Sequence, residues 1–543
     1  MKTININGKE VPVIESTKVV ETFKNKKTGE IYKNKEDTIN DLVDGKYFIL
    51  DMKFLVKLFV KLHIKISDKW KKNPIFCQEK IFKYLIKNGE KTIFGKNHNF
   101  KNIYNYEEFK NNVPIIDYEG LKKYINRIKR GEKNILWPGT PLFLANTSGT
   151  TSGTKFIPLT KRGLKIQINQ TKSALIHYLY ESFNFNLLFG KMIFLQGSPK
   201  LDKIGKVNTG RLSGIVANFV PFYLRAKRLP SYTTNCINEW EKKINKIVDE
   251  TLSEDLRLIG GIPPWLVMYF EKLNLKTNKK VYEIFPNLSL IVHGGVNFQP
   301  YKKKFNKILH KNIDMLELYP ASEGFIAFQD KRERNDMLLL VNSGIYYEFI
   351  SVSDFNNNNL KNRICLKDVR LEVDYVLILN TISGLWGYNI GDTVLFTSIR
   401  PYRIKITGRV KHFSSLFGEH LIVKEVEQAI EMTIKNFSEV VINEFTLAPN
   451  LQLNKEISFH EWYIEFSKEP NNLEKFSKIL DENLQIQNIY YKDLVQGKVI
   501  SPSKIIKVEK GGFNNYMKSI GKLGGQNKIP RLSNGRDIVD NLV

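Results

Sequence analysis

Nine consecutive residues, Thr147 to Lys155, read TSGTTSGTK: six hydroxyl side chains, two glycines and one lysine. Glycine lets a backbone approach a ligand closely and take up positive φ without a Cβ clash. Bare N–H groups beside hydroxyls make a donor-rich concavity, and a terminal lysine adds positive charge. A phosphate chain is the ligand such a segment suits. Its candidate contacts are Thr147, Ser148, Gly149, Thr150, Thr151, Gly153 and Lys155. Two familiar loops are excluded by spacing. A Walker A loop needs G-x-x-x-x-G-K-[ST], whereas Gly149 and Gly153 are four apart and Lys155 follows two residues later. The G-x-G-x-x-G dinucleotide turn does not fit either. The flanks PLFLA and FIPLT are apolar and strand-like, which argues against a flexible Ser/Thr/Gly linker.

Three further segments carry complementary groups. In ELYPASEGFIAFQD, Tyr319 can stack on a base and the Glu323 carboxylate can hold a divalent metal. Taken alone, an acid at a strand end is more simply a surface residue. In LWGYNIGDTVLFTSIRPYRIKITGRVKHF, Asp392 is expected in a Gly-Asp turn between strands, where a carboxylate can accept both hydroxyls of a ribose. Arg409 follows with its fork of donors. In GKLGGQNKIPRL, Lys528 sits in a Gly-rich stretch that would otherwise read as a basic tail.

The elements that must position these groups can be read from periodicity. From Ile75 to Gly131 the pattern is mostly helical. Beyond Trp137, strand-like runs (KMIFLQG, LRLIGGI, LSLIVHGG, DMLELYP, YVLILNT) alternate with helical stretches. That alternation predicts a mixed α/β domain. After RIKITGRV, helices around Val423–Asn436 and Asn472–Leu484 flank the strand EWYIEFS, which predicts a small α+β domain. Residues 1–51 differ from the rest. A hairpin is expected around Asn7-Gly8, followed by a highly charged stretch. MKFLVKLFVKLHIKI, beginning at Met52, repeats lysine every four residues at 53, 57, 61 and 65. On a helix these form one polar stripe along an apolar rod. Docking on the main core is the first expectation for it, and weak contact with a membrane surface the second.

Composition bounds the function. At 543 residues with 42% hydrophobic content, the chain can build two domains. The net charge is +27, but the excess is spread along the chain rather than gathered in one arm, so no specific nucleic-acid partner is expected. No apolar run is long enough for a transmembrane helix, and no secretory leader is visible. Cys77, Cys236 and Cys365 are far apart, without metal or redox spacing. Three buried neutral thiols in a reducing cytoplasm are expected.

Taken in order, the segments ILWPGTPLFLANTSGTTSGTKFIPLT, YPASEG, GYNIGDTVLFTSIRPYRIKITGRVKHFSSLFGE and GGQNKIPRL resemble the adenylate-forming superfamily of acyl-CoA synthetases, peptide-synthetase adenylation domains and luciferases. More closely, they resemble the Gretchen Hagen family, the auxin-responsive acyl acid–amido synthetases and their bacterial homologues. The resemblance runs from about Met52 to Val543. It implies a segment of unclear role (1–51), a large α/β adenylate-forming domain with mixed sheets (52–410), and a small, mobile α+β domain (411–543). It further implies ATP and Mg²⁺, a carboxylic acid, and an amine such as an amino acid. The acid would be adenylated with release of pyrophosphate, and the amine would then expel AMP to leave an amide. An acyl-CoA ligase sharing the first step is the alternative. A non-catalytic nucleotide-binding or membrane-surface protein is a third reading. A cytoplasmic monomer is expected.

Residue by residue, Ser322 and Glu323 match the family's segment for the α-phosphate and metal. Asp392 matches its ribose acid, and Gly294-Gly295 its adenine-pocket segment, although His293 stands where an aromatic residue is expected. Lys528 matches the swinging C-terminal lysine of adenylation. Lys411 matches the interdomain hinge. The acyl pocket is expected near Asn208–Gly214 or Gly260–Leu266; Trp265 could line it, although a buried tryptophan is more often a core residue. Neither acid nor acceptor is identified by these motifs.

Overall fold

A computed structural model describes the chain apart from residues 1, 7–8, 14–22, 25–30, 33–45, 148–154, 221, 238, 296–297, 299–304, 310–311, 410–412, 415–416, 420, 451–456, 521–528, 534 and 543. At residues 2–6, 9–13, 23–24, 31–32, 46–54, 222–223, 240–241, 264, 409, 413–414, 422 and 424 only the backbone is described. The chain divides into two compact units, Met1–His63 and Ile64–Val543.

In the first unit, strands Lys2–Ile6 and Lys9–Val13 pair antiparallel with Ile6 opposite Lys9. Asn7 and Gly8, the turn the sequence predicts between them, lie outside the described residues. The helix Lys46–Ser67 runs unbroken through the 51/52 boundary drawn from sequence. Among the described residues, no helix is long and apolar enough to cross a membrane.

The second unit is built on a sheet of twelve strands. Its first five, in the order Arg228–Leu229, Lys191–Phe194, Leu256–Gly261, Leu290–Gly294 and Asp314–Ala321, are all parallel. All but the two-residue Arg228–Leu229 are apolar runs separated by helical stretches that the sequence predicts, and helix-connected strands of this kind pair in parallel. From Asp314–Ala321 onward the pairing becomes antiparallel, through Gly324–Phe328, Met337–Leu339, Tyr402–Arg409, Tyr388–Ile399, Asp374–Thr381 and Ile345–Ser351 to Ile364–Cys365. Here the connections are short. Ser322-Glu323 alone joins Ala321 to Gly324, and Arg400-Pro401 joins Ile399 to Tyr402. A second sheet of four strands contains the hairpin Phe143–Thr147 and Lys155–Leu159.

Helices Pro74–Gly89, Ile93–Asn97, Tyr106–Asn112 and Tyr118–Lys129 precede these sheets, in line with the helical reading of that region. Two have caps visible in the sequence. Asn105 and Glu108 form a capping box, and Asp117 accepts from the Gly120 N–H. Towards the C-terminus, strands Val441–Asn450, Phe459–Lys468 and Lys504–Lys507 form a three-stranded sheet with helices Val423–Lys435, Leu473–Gln487 and Ile489–Gln496. This is the small α+β arrangement expected. One apolar cluster is continuous from Ile193, Ile259 and Phe270 to Val426, Trp462 and Leu480.

One expectation is corrected: only Cys365 is buried, whereas Cys77 and Cys236 are half-buried. Trp265 is buried within the large apolar cluster, in line with the core reading of a buried tryptophan.

Candidate active site

The hydroxyl- and glycine-rich segment joins two paired strands. Phe143–Thr147 and Lys155–Leu159 are antiparallel, with Thr147 directly opposite Lys155. The two ends of the segment are therefore pinned by backbone pairing. Ser148, Gly149, Thr150, Thr151 and Gly153 lie outside the described residues. At the loop's exit, the Phe156 N–H donates to the Tyr118 hydroxyl at 2.9 Å, and the Lys155 ammonium lies 5.8 Å from the Tyr118 ring centre. The next helix, Lys161–Ser182, starts where Thr160 accepts from the Gly163 N–H at 3.0 Å.

The carboxyl ends of the parallel strands form the second wall, the edge at which open α/β sheets bind ligands. Leu290–Gly294 ends in Gly294, which pairs with Leu318 of the next strand. A Cβ on Gly294 would stand 2.2 Å from the Leu318 carbonyl oxygen. The close approach that demands glycine here is thus to the neighbouring strand. Gly295 follows at φ +82°, which turns the chain off the sheet edge. His293 is buried and stacks on Phe298 with ring centres 4.4 Å apart. Burial pushes its imidazole down to about 4, so it is neutral at physiological pH. Its register partner is Glu317, whose carboxyl burial raises above the ordinary range. Glu317 was not singled out by sequence, where a single acid in DMLELYP carries no signal.

Tyr319 lies two residues further along that strand, and its hydroxyl donates to Oδ2 of Asp392 at 2.5 Å. Both side chains are about 95% buried. This contact is informative because the two strands are not neighbours. Gly324–Phe328, Met337–Leu339 and Tyr402–Arg409 lie between them in the sheet order. On a flat sheet four strand spacings would separate them by about 19 Å. The sheet must curl for the two side chains to meet, and the aromatic core of Tyr347, Phe349, Tyr375, Phe396 and Tyr402 fills the curl. Asp392 itself lies inside the strand Tyr388–Ile399, not in a turn between strands. The Gly-Asp dipeptide misled because Gly391, at φ +92°, bends a continuous strand instead of ending it. The turn falls at Arg400-Pro401. Arg409 is the strand partner of Asp392, although its side chain is not described. Ser322 and Glu323 form the two-residue turn just beyond Tyr319, and both are partly exposed. Lys411 and Lys528 lie outside the described residues.

Gly294-Gly295, Tyr319, Ser322, Glu323 and Asp392 thus converge on one end of the large sheet, from segments almost 100 residues apart. Family models match most of the chain, although not residues 314–337, where Tyr319, Ser322 and Glu323 lie. The GH3 family N-terminal domain matches residues 63–223 and 202–313, the central domain 338–409 and the C-terminal domain 424–537. The chain belongs to the GH3 family.

Among GH3 relatives, the jasmonoyl–L-amino acid synthetase JAR4 of Nicotiana attenuata is 22% identical over 356 residues. That match takes in 53% of this chain and 60% of that protein, so it spans less than two thirds of the relative. The indole-3-acetic acid-amido synthetase GH3.4 of Arabidopsis thaliana is 22% identical across 86% of this chain and 91% of its own. Two solved structures share the fold. The AtGH3.15 acyl acid amido synthetase in complex with 2,4-DB superposes with a TM-score of 0.58 at 17% identity, covering 89% of this chain and 95% of that one. A 2-hydroxyisobutyryl-CoA ligase superposes with a TM-score of 0.55 at 13% identity, covering 87% and 91%. This chain therefore shares the fold of these two ligases, a mixed α/β body with a smaller C-terminal portion.

Proposed function

We propose that this GH3 protein is a ligase that adenylates a carboxylic acid with ATP and transfers the acyl group to an amine, most simply that of an amino acid. The observation that carries the reading is the buried Tyr319–Asp392 pair at the carboxyl edge of the parallel strands. A carboxylate is acceptor-only on two oxygens, which suits the paired hydroxyls of a ribose. Gly294 and Gly295 border the base, and Tyr319 packs beside it. The hairpin from Thr147 to Lys155 receives the phosphates, and Arg409 adds charge opposite Asp392. Ser322 faces the α-phosphate. Glu323 suits Mg²⁺ carried in with ATP. Among the described residues no group of three or more metal-binding side chains is gathered, and Mg²⁺ in nucleotide sites commonly takes one or two carboxylates with phosphates supplying further ligands. The ion would neutralise charge between the phosphates and the Glu323 carboxylate.

Charge grows on the α-phosphoryl group and on leaving pyrophosphate, so pre-positioned cations and donors carry most of the catalysis. Lys528 is assigned as the cationic donor for that step. Lys411 falls between the central match ending at 409 and the C-terminal match beginning at 424, where a hinge would let the 411–543 portion turn between half-reactions. Acid-dependent exchange of pyrophosphate into ATP, across a panel of carboxylic acids, tests the first step. No exchange with any acid, together with no Mg·ATP binding by calorimetry, would sink the proposal. The fold is shared with a CoA ligase, so the acceptor is assigned by whether amino acids or CoA accelerate AMP release.

A further inference from the structure

We propose that the helix Lys46–Ser67 is a membrane-surface element that lays its exposed apolar face on an anionic lipid bilayer. Leu55, Leu58, Phe59, Leu62 and Ile66 are spaced i, i+3, i+4, i+7 and i+11, which is one face of an α-helix. All five are exposed, from 46% at Leu58 to 66% at Ile66. Val60, on the opposite side, is buried. This inverts the usual rule for a surface helix, whose apolar stripe faces the core. The helix lies almost wholly before the family match that begins at residue 63.

Charge names the occupant. Lys57, Lys61 and Lys65 are exposed, and Lys61 and Lys65 border the apolar face on the helical wheel. Between Asp51 and Asp68 the sequence has four lysines and no acid. A second copy of the same helix would bring two rows of like charge together. A nucleic acid would meet the lysines but leave the leucines and Phe59 in water. An anionic bilayer satisfies both, with phosphate headgroups at the lysines and acyl chains under the apolar residues. At 22 residues the helix is about 33 Å long, enough to lie along the surface. It is too interrupted by charge to cross a membrane.

The test is sedimentation of the full-length protein with phosphatidylcholine vesicles, with and without phosphatidylserine. Binding to the serine-containing vesicles is expected, and it should weaken as salt shortens the Debye length from about 10 Å at 0.1 M to about 3 Å at 1 M. Each lysine lost should reduce binding by roughly fivefold. Phe59→Asp with Leu62→Asp should abolish binding to both vesicle types. Lys61→Glu with Lys65→Glu should remove the preference for phosphatidylserine. Phe59→Trp should show blue-shifted emission on vesicle addition. This last readout and the lysine variant keep the question decidable if the double aspartate variant misfolds. No sedimentation of the native protein would overturn the proposal. So would binding unchanged in the double aspartate variant, or a dimer by light scattering that this variant dissolves.

Discussion

The Tyr319–Asp392 hydrogen bond couples two residues that sequence reasoning assigned separately, one to the base and one to the ribose. Asp392→Ala should therefore do two things. It removes up to two charge-assisted bonds to ribose at ~1.5–3 kcal/mol each, and it leaves the Tyr319 hydroxyl buried without its acceptor. KM for ATP should rise from on the order of 10-fold if one weak bond is lost to on the order of 10⁴-fold if two strong ones are, more than kcat falls, because ribose contacts exist before and during reaction. Asp392→Asn, which keeps an acceptor for Tyr319, should retain more stability than alanine. A double-mutant cycle of Tyr319→Phe with Asp392→Asn should give a coupling of about 0.5–3 kcal/mol, and additive thermal shifts would show that the two act independently. His293 makes a different prediction. Its folded value of about 4 lies below the ordinary 6.5, so the unfolded chain takes the proton first. The contribution of the neutral ring is complete above pH 6.5 and is lost as pH falls from 6.5 towards 4. The loss is about 3 kcal/mol at most. Thermal melts of native protein and His293→Gln should diverge by a changing amount across that window, and a constant offset would exclude His293 as the titrating group.

At the scale of the element, the strand end at Gly294 is the tightest joint near the site. Alanine there would drive its Cβ into the Leu318 carbonyl, and neither backbone can rotate away without breaking the pairing on both strands. Gly294→Ala should cost about 1–3 kcal/mol or more. It should also displace Tyr319, one residue beyond Leu318, and so raise KM for ATP in whatever fraction remains folded. Gly391→Ala is the useful contrast. Nothing lies within 4 Å of a Cβ there, but φ is +92°. The penalty at Gly391 is conformational strain in the backbone beside Asp392 and not a clash. Comparing melting temperature with ATP KM for the two variants separates strand spacing from strand bending. Equal stability of Gly294→Ala and the native protein would refute the close-packing argument.

For the whole molecule, the proposed two-step reaction needs one cleft to serve two chemistries. Lys528 is proposed to act when the 411–543 portion closes for adenylation. Lys528→Ala should slow pyrophosphate exchange by on the order of 10²–10³ while sparing amide formation from a supplied acyl-adenylate. Equal loss in both half-reactions of a folded variant would argue against alternation with this lysine as its adenylation partner. Residues 1–51 lie before the family match, and a chain of residues 52–543 should keep acid-dependent exchange. A soluble, folded but inactive truncation would place the segment in the working site.

Much was legible in the sequence because it is local. The strands KMIFLQG, LRLIGGI, LSLIVHGG, DMLELYP and YVLILNT announce themselves by apolar runs between turn residues, and all are strands here. The strands flanking the TSGTTSGTK segment, and the antiparallel pairing of Lys2–Ile6 with Lys9–Val13, follow from the same short-range signals. Asp392 as a candidate came from the residues around it. What the sequence could not determine is long-range. The curl that brings Tyr319 onto Asp392 depends on packing aromatic residues from several strands, and the pairing of His293 with Glu317 depends on a parallel register. A glycine that bends a strand and a glycine that ends one look the same in a string of letters. Only the surrounding hydrogen bonds decided which Gly391 would be. The exposure of Leu55, Leu58, Phe59, Leu62 and Ile66 was likewise undecided, because an amphipathic pattern fixes which residues share a face and not what that face meets.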